Sequence, residues 1–474
     1  MKSNNEIASW NISSIALAIK ERRVSPIEVT KKLLTQIKNN DQKINAFTYL
    51  LEEQALLEAK QAEKEITNNN IKSPLHGVPI GVKDIVYTKG INTTMGSKVY
   101  KNFIPSYNAS VIKKLKQSGA IIIGKLNTHE FANGTTGDKS YFGPVSNPYN
   151  IKYISGGSSS GSSAAVASLM CYGSIGTDTG GSIRIPSSFC GLVGMKPTFG
   201  RVSKYGVFPL SWTLDHVGPI TRTTKDNAIL LNALSGYDKK DPYSIKTKTE
   251  DFTRYLNTSI KNLKIGLPYN FYFENIDEGV KKIVLDSLQT FKYLGATILP
   301  IDIPNMQEKL KAFRLILESE AYAKHGGMIE KNKNKIGKEV QDKFIKGKNP
   351  YAYEYASSQN IKQEAIQTFN SIFENVDIIL TPTVPCGPIK IGERLVSINE
   401  GKFTSNTILN KLTGITNMTG HPSLTIPCGT SESGFPIGLQ LIGRKFDEAN
   451  LYRVGHSFEQ EFQGSQSFQN TRKI

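Results

Sequence analysis

From Ser155 to Pro197 the chain reads SGGSSSGSSAAVASLMCYGSIGTDTGGSIRIPSSFCGLVGMKP, and no other stretch limits the fold as strongly. Glycine at this density lets backbone approach a ligand and leaves successive N–H groups outside regular secondary structure, as an anion or oxyanion cradle requires. A flexible linker would share the composition, but no linker runs straight into a segment such as Ser162 to Met170, whose small side chains suit a tightly packed helix. That helix would aim its N-terminus at Ser158-Ser159-Ser160.

The flanking sequence supplies the rest of an α/β pattern. Pro79 to Val82 and Ala120 to Gly124 are short apolar runs bounded by Gly or Pro, the signature of buried strands, and a helical segment lies between them around Ser110 to Ser118. Further strands are expected at Lys264 to Leu267, Ala296 to Ile303, Val376 to Thr381, Ser423 to Pro427 and Gly438 to Gly443. The first seventy residues read as helices: Ser25-Pro26-Ile27-Glu28 is a capping box with Pro at the first helical position, and Gln54 to Ile66 forms another helix. The expected organisation is a helical layer over residues 1–70 packed on one domain over 71–474. Its core spans about 71–235 and 375–460, and a Lys-rich, mostly helical peripheral region spans about 240–375.

Composition narrows the class. Hydrophobic residues at 38% and charged residues at 21% describe a globular chain, with no apolar run long enough to cross a membrane and no secretory leader at MKSNNEIASW, so the cytoplasm is the expected location. Four cysteines with no CxxC or zinc-ligand spacing read as buried thiols, and nothing calls for a metal or cofactor. The net charge of +17 raises nucleic acid as a partner. Lys outnumbers Arg roughly four to one and the lysines are scattered, which argues for a solvated basic face instead.

The loop lacks the Lys of a Walker phosphate motif and the GxGxxG of a dinucleotide fold. Gly157-Ser158-Ser159-Ser160-Gly161 fits GxSxG, which would make Ser159 a hydrolase nucleophile, but His216, His325, His421 and His456 all lie in unsuggestive contexts. Ser182 fits better. It closes Thr177-Asp178-Thr179-Gly180-Gly181-Ser182, beside the N–H groups of an oxyanion hole. Its base would be a desolvated lysine, and Lys83 ends the apolar run Pro79-Ile80-Gly81-Val82.

At these residues the sequence resembles the amidase signature family. GVPIGVKD, GGSSSGSS and GTDTGGSIRIP match its three motifs, and the serine separation of 24 residues (182 − 158) agrees. Similarity extends over about residues 60–460 and is weakest between 240 and 375. The resemblance implies an α/β fold, a central mixed twisted sheet covered by helices on both faces. It also implies a triad of Ser182 as nucleophile, Ser158 as bridging serine on a cis peptide and Lys83 as base. The N–H groups of Thr179, Gly180, Gly181 and Ser182 would hold the oxyanion, Ala132 and Gly134 would line the acyl pocket, and Asp178 and Arg184 would orient the loop. Ser160 replaces a glycine of the commoner GGSSGGS loop.

The family ranges from stand-alone amidases to the glutaminase component of a tRNA-dependent amidotransferase. Phe208 to His216 (FPLSWTLDH) follows the stand-alone wording, whereas KIGE at 390–393 resembles the amidotransferase glutaminase. Asn410 aligns with the acid that holds a glutamine ammonium there, and Lys362 with the Arg that holds its carboxylate; both changes point away from glutamine. The expectation is therefore a monomer or homodimer cleaving a small-molecule amide, with a heteromeric partner only under the amidotransferase alternative.

Overall fold

A computed structural model describes residues 7–248 and 250–465. In chain order the strands are β1 (Phe47–Leu50), β2 (Pro79–Lys83), β3 (Ile121–Leu126), β4 (Ser146–Asn147), β5 (Asn150–Ile154), β6 (Gly173–Asp178), β7 (Val193–Lys196) and β8 (His216–Thr221). Then follow β9 (Lys264–Pro268), β10 (Thr297–Ile301), β11 (Ile378–Pro382), β12 (Leu395–Ile398), β13 (Gly401–Thr404), β14 (Ser423–Thr430) and β15 (Pro436–Gly443). Strands β4 with β5 and β12 with β13 form small hairpins, and the other strands form one 11-stranded sheet in the order β1-β3-β2-β6-β8-β7-β14-β15-β11-β9-β10. The sheet is mixed. Strand β2 runs parallel to β3 and β6, while β6 to β11 pair antiparallel through β8, β7, β14 and β15.

Local chemistry accounts for these elements. Ser25 caps the helix Pro26–Ile44 by accepting from the N–H groups of Ile27 (3.0 Å) and Glu28 (3.3 Å), and Val29, Leu33, Leu34 and Ile37 form its buried stripe. Strand β2 is buried at every residue, as a central parallel strand must be. A Cβ on Gly81 would stand 2.5 Å from Leu126 Cδ1, so glycine there lets β2 and β3 close up.

The helix Ser160–Ala167 is buried throughout, and its small side chains are needed for that. A Cβ on Gly161 would meet the Ala46 carbonyl oxygen at 2.4 Å, and the Ser162 hydroxyl donates to the Ile175 carbonyl at 3.2 Å.

Two features depart from the sequence reading. Residues 47–50 add a strand, β1, to the sheet edge beside β3 within a stretch read as helical. At the other edge, β9 and β10 join the same sheet from the region read as peripheral, and the helix Met306–Lys331 from that region reaches the glycine-rich loop. All four cysteines are buried and unpaired. Among the described residues no helix is long and apolar enough to cross a membrane.

Candidate active site

Strand β2 delivers Lys83 to the end of the central sheet, where the side chain is fully buried. Its Nζ donates to Ser158 Oγ at 2.8 Å and to Thr177 Oγ1 at 2.8 Å. Burial pushes the ammonium pKa down to about 7, against the attraction of Asp178 and Asp215. A lysine of this kind is neutral in a large share of molecules near neutral pH and can accept a proton. Thr177, its second partner, has no local sequence signal beyond its place in the GTDTGGS run.

Ser158 follows a cis peptide bond from Gly157. The Ser158 carbonyl accepts from Thr128 Oγ1 at 2.9 Å and from the His129 N–H at 3.2 Å, which fixes the backbone that presents the hydroxyl to Lys83. Ser159 is spent on structure: its Oγ donates to the Thr177 carbonyl at 3.0 Å and accepts the Thr177 N–H at 3.2 Å. No histidine ring among the described residues bonds to Ser158, Ser159 or Ser182. His216 Nδ1 pairs with the Leu214 carbonyl, His325 Nε2 with the Pro209 carbonyl, and His421 with Thr419 and Asn370.

Strand β6 ends at Asp178, and the chain turns through Thr179-Gly180-Gly181-Ser182 into the helix Arg184–Phe189. Fully buried Arg184 grips Asp178 through Nε to Oδ2 (3.0 Å) and Nη2 to Oδ1 (2.9 Å), and also reaches Thr416, Asn417 and Gln440. Burial alone would raise the Asp178 carboxyl pKa, but the guanidinium, the Asn417 amide and Lys196 outweigh it and hold the group well below the usual carboxylate range. Asp178 Oδ1 also takes the Gly181 N–H at 2.7 Å, and Oδ2 takes that of Ile183 at 3.1 Å.

That contact corrects the expected oxyanion donors. The Gly181 N–H is committed to Asp178, and the amides of Thr179, Gly180 and Ser182 are the ones with no partner among the described residues. Gly181 is required for conformation instead: its φ is +124°, and a Cβ would stand 2.3 Å from Thr413 Oγ1.

Thr179, Gly180 and Ser182 line a cavity of about 120 Å³ together with Ala132, Gly134 and Asn410. Ala132 adopts a left-handed φ of +58°, and a Cβ on Gly134 would fall 2.2 Å from His129 Nε2, so the ring excludes a larger residue. Phe313 and Arg314 of the helix Met306–Lys331, and Glu318 from the same helix, complete the wall; nothing local in their sequence announces it. Asn410 Oδ1 is buried without a partner. Lys362 stands elsewhere, donating to the Thr213 carbonyl at 3.3 Å and absent from the cavity lining. The Asp84 of the Lys83-Asp84 pair also faces away, bonded to Thr94 and 3.5 Å from Lys125.

The family model described as Amidase matches residues 28–452. The chain belongs to the amidase signature family. Among the similar proteins, the glutaminase component named for the glutamyl-tRNA(Gln) amidotransferase of Geobacter metallireducens is 38% identical over 96% of this chain and 98% of its own length. A structure reported for a vestigial protein complex bearing on the origins of an s-triazine catabolic enzyme superposes with a TM-score of 0.92 at 30% identity, covering 95% of this chain and 98% of that one. A bacterial aryl acylamidase of the amidase signature family superposes at 0.90 with 26% identity, covering 98% and 99%. The chain is thus an enzyme of the amidase class, acting on C–N bonds, with a mixed α/β fold. It is similar at full length both to amidases and to an amidotransferase component.

Proposed function

We propose that the protein hydrolyses a carboxylic acid amide by itself, through an acyl-enzyme on Ser182. The observation that carries this reading is Lys83, buried, held near neutrality by its surroundings and 2.8 Å from Ser158 Oγ. Neutral Lys83 takes the Ser158 proton as Ser158 takes that of Ser182, and the Ser182 oxygen attacks the amide carbonyl. The amides of Thr179, Gly180 and Ser182 receive the oxyanion. The same relay then returns a proton through Ser158 to the leaving nitrogen, the C–N bond breaks, and ammonia or an amine departs. Water, deprotonated along the same path, releases the acid.

The second reading is the glutaminase of a tRNA-dependent amidotransferase working with partner proteins. It is favoured by the full-length similarity to proteins of that name and by Arg314 and Glu318 in the cavity wall, charges of both signs that an amino acid head group would meet. Neutral Asn410 in the cavity and Lys362 outside it favour the stand-alone reading. The test is turnover by the purified chain of simple amides against glutamine, without ATP, tRNA or partner. Glutamine turnover exceeding that of every simple amide, or stimulation by charged tRNA and a copurifying protein, would replace the first reading by the second.

A further inference from the structure

A second, larger cavity of about 430 Å³ adjoins the first and shares Ala132, Thr179 and Leu210 with it. The two cavities differ in which part of the reacting centre they meet. Ser182 and Gly180 line the small one, whereas the large one is lined by Thr177, the residue that shares Lys83 with Ser158. A substrate amide attacked by Ser182 places its acyl carbon among the Ser182 and Gly180 groups and its nitrogen toward the proton relay. The acyl group therefore belongs in the small cavity and the amine in the large one.

The large cavity has an aromatic wall, with Tyr205, Phe208, Trp212 and Tyr243 among its lining. Its two acids are already satisfied. Asp215 accepts from Thr179 Oγ1 (2.6 Å) and from the N–H groups of Leu210 and Ser211, while Asp241 accepts from those of Lys204 and Tyr243. Its three lysines are not so paired: Lys204, Lys240 and Lys324 form no ion pair among the described residues. Lys204 lies 4.4 Å from the Tyr243 ring centroid and Lys240 lies 5.2 Å from that of Tyr205, and both Lys240 and Lys324 are exposed. The wall thus offers ring faces inside and uncompensated positive charge at its exposed lysines.

We propose that the preferred substrate is a secondary amide of a small acid whose leaving group is an aromatic amine carrying an anionic substituent. This rests on the amidase reading above. In the acylation step Ser158 protonates the amide nitrogen, the C–N bond breaks, and the aromatic amine leaves neutral while the acyl group stays on Ser182.

The experiment compares kcat/KM for acetamide, acetanilide and 4-acetamidobenzoate, which share one acyl group. Acetanilide should exceed acetamide by about tenfold, as a filled apolar pocket supplies. The carboxylate should add about fivefold, the scale of a partly exposed ion pair. In a Lys240→Gln/Lys324→Gln double variant the ratio of 4-acetamidobenzoate to acetanilide should fall to about one. Acetamide matching or exceeding the aromatic amides, or a carboxylate without effect in the wild type, would overturn the proposal and make the cavity a passage for ammonia or water. If no amide at all is turned over, the amidase reading fails first. Calorimetry with 4-aminobenzoate on the Ser182→Ala protein then decides the cavity separately: binding that is lost in the double lysine variant supports it, and no binding overturns it.

Discussion

The Gly181 N–H lies 2.7 Å from Asp178 Oδ1, so the residue next to Ser182 is tied to the same carboxylate that Arg184 grips from inside the core. The loop's shape is thereby coupled to a buried ion pair. Asp178→Asn would remove the charge that compensates Arg184, a fully buried side chain, and breaking one half of such a pair costs about 3 to 5 kcal/mol. Urea denaturation should show that loss, with a further drop in activity in whatever folded protein remains. A variant with unchanged midpoint and full activity would show that the pair does not hold the loop.

Ser182 is the proposed site of covalent chemistry. Ser182→Ala should leave a folded protein with at least about 10³-fold less amidase activity, because the remaining donors can bind substrate but cannot form the acyl-enzyme. A fluorophosphonate should add its mass to Ser182. His421→Ala should stay within about tenfold of wild type, since that ring contacts Thr419 and Asn370 and none of the three residues of the relay. Labelling at Ser159 would instead revive the GxSxG reading.

Asn410 is the proposed reason for low activity on glutamine. Its Oδ1 is buried without a partner in a cavity that Ser182 also lines, so it offers a neutral acceptor where a substrate ammonium would need an anion. Asn410→Asp would convert a neutral hydrogen bond into a charge-assisted one worth about 1.5 to 3 kcal/mol, or roughly 10- to 100-fold in relative kcat/KM for glutamine over a simple amide. The ratio of the two rates is the readout, because the new carboxylate lowers turnover of every substrate if it disturbs the loop. An unchanged ratio would place the head-group selectivity at Arg314 and Glu318.

Much of the sheet was legible because its strands are short apolar runs with Gly or Pro at their ends. Pro79 to Val82, Val376 to Thr381 and Ser423 to Pro427 fall on β2, β11 and β14 with ends differing by a few residues. Strand β1 was not legible: four residues beside a helix, half of them only partly buried, gain their conformation from pairing with β3. The motif residues could be read because glycines and a buried lysine are chemically unusual in their settings. Thr177 could not, since a threonine in a strand is ordinary and its value comes from Lys83 arriving 94 positions away. Phe313 was equally silent. Its ring closes over Gly180, where a Cβ would stand 2.9 Å from Cζ, and that contact is made only when a distant helix packs onto the loop.

The proton balance of Lys83 gives the sharpest expectation. Its pKa falls from 10.5 to about 7 because burial disfavours the ammonium more than Asp178 and Asp215 favour it. Only the neutral amine can take the Ser158 proton, so activity requires loss of a proton. The consequence has a definite sign: kcat/KM should rise about tenfold per pH unit below neutrality and level off above about pH 8. Lys83→Met keeps most of the volume, removes the acceptor and leaves Ser158 and Thr177 without their shared donor. It should lower kcat/KM by roughly 10²-fold or more and abolish the rise between about pH 5 and 8, with stability measured in parallel to separate folding from chemistry. A Lys83→Met enzyme with a near-normal rate, or a wild-type profile that falls as pH rises through neutrality, would sink the assignment of Lys83 as base.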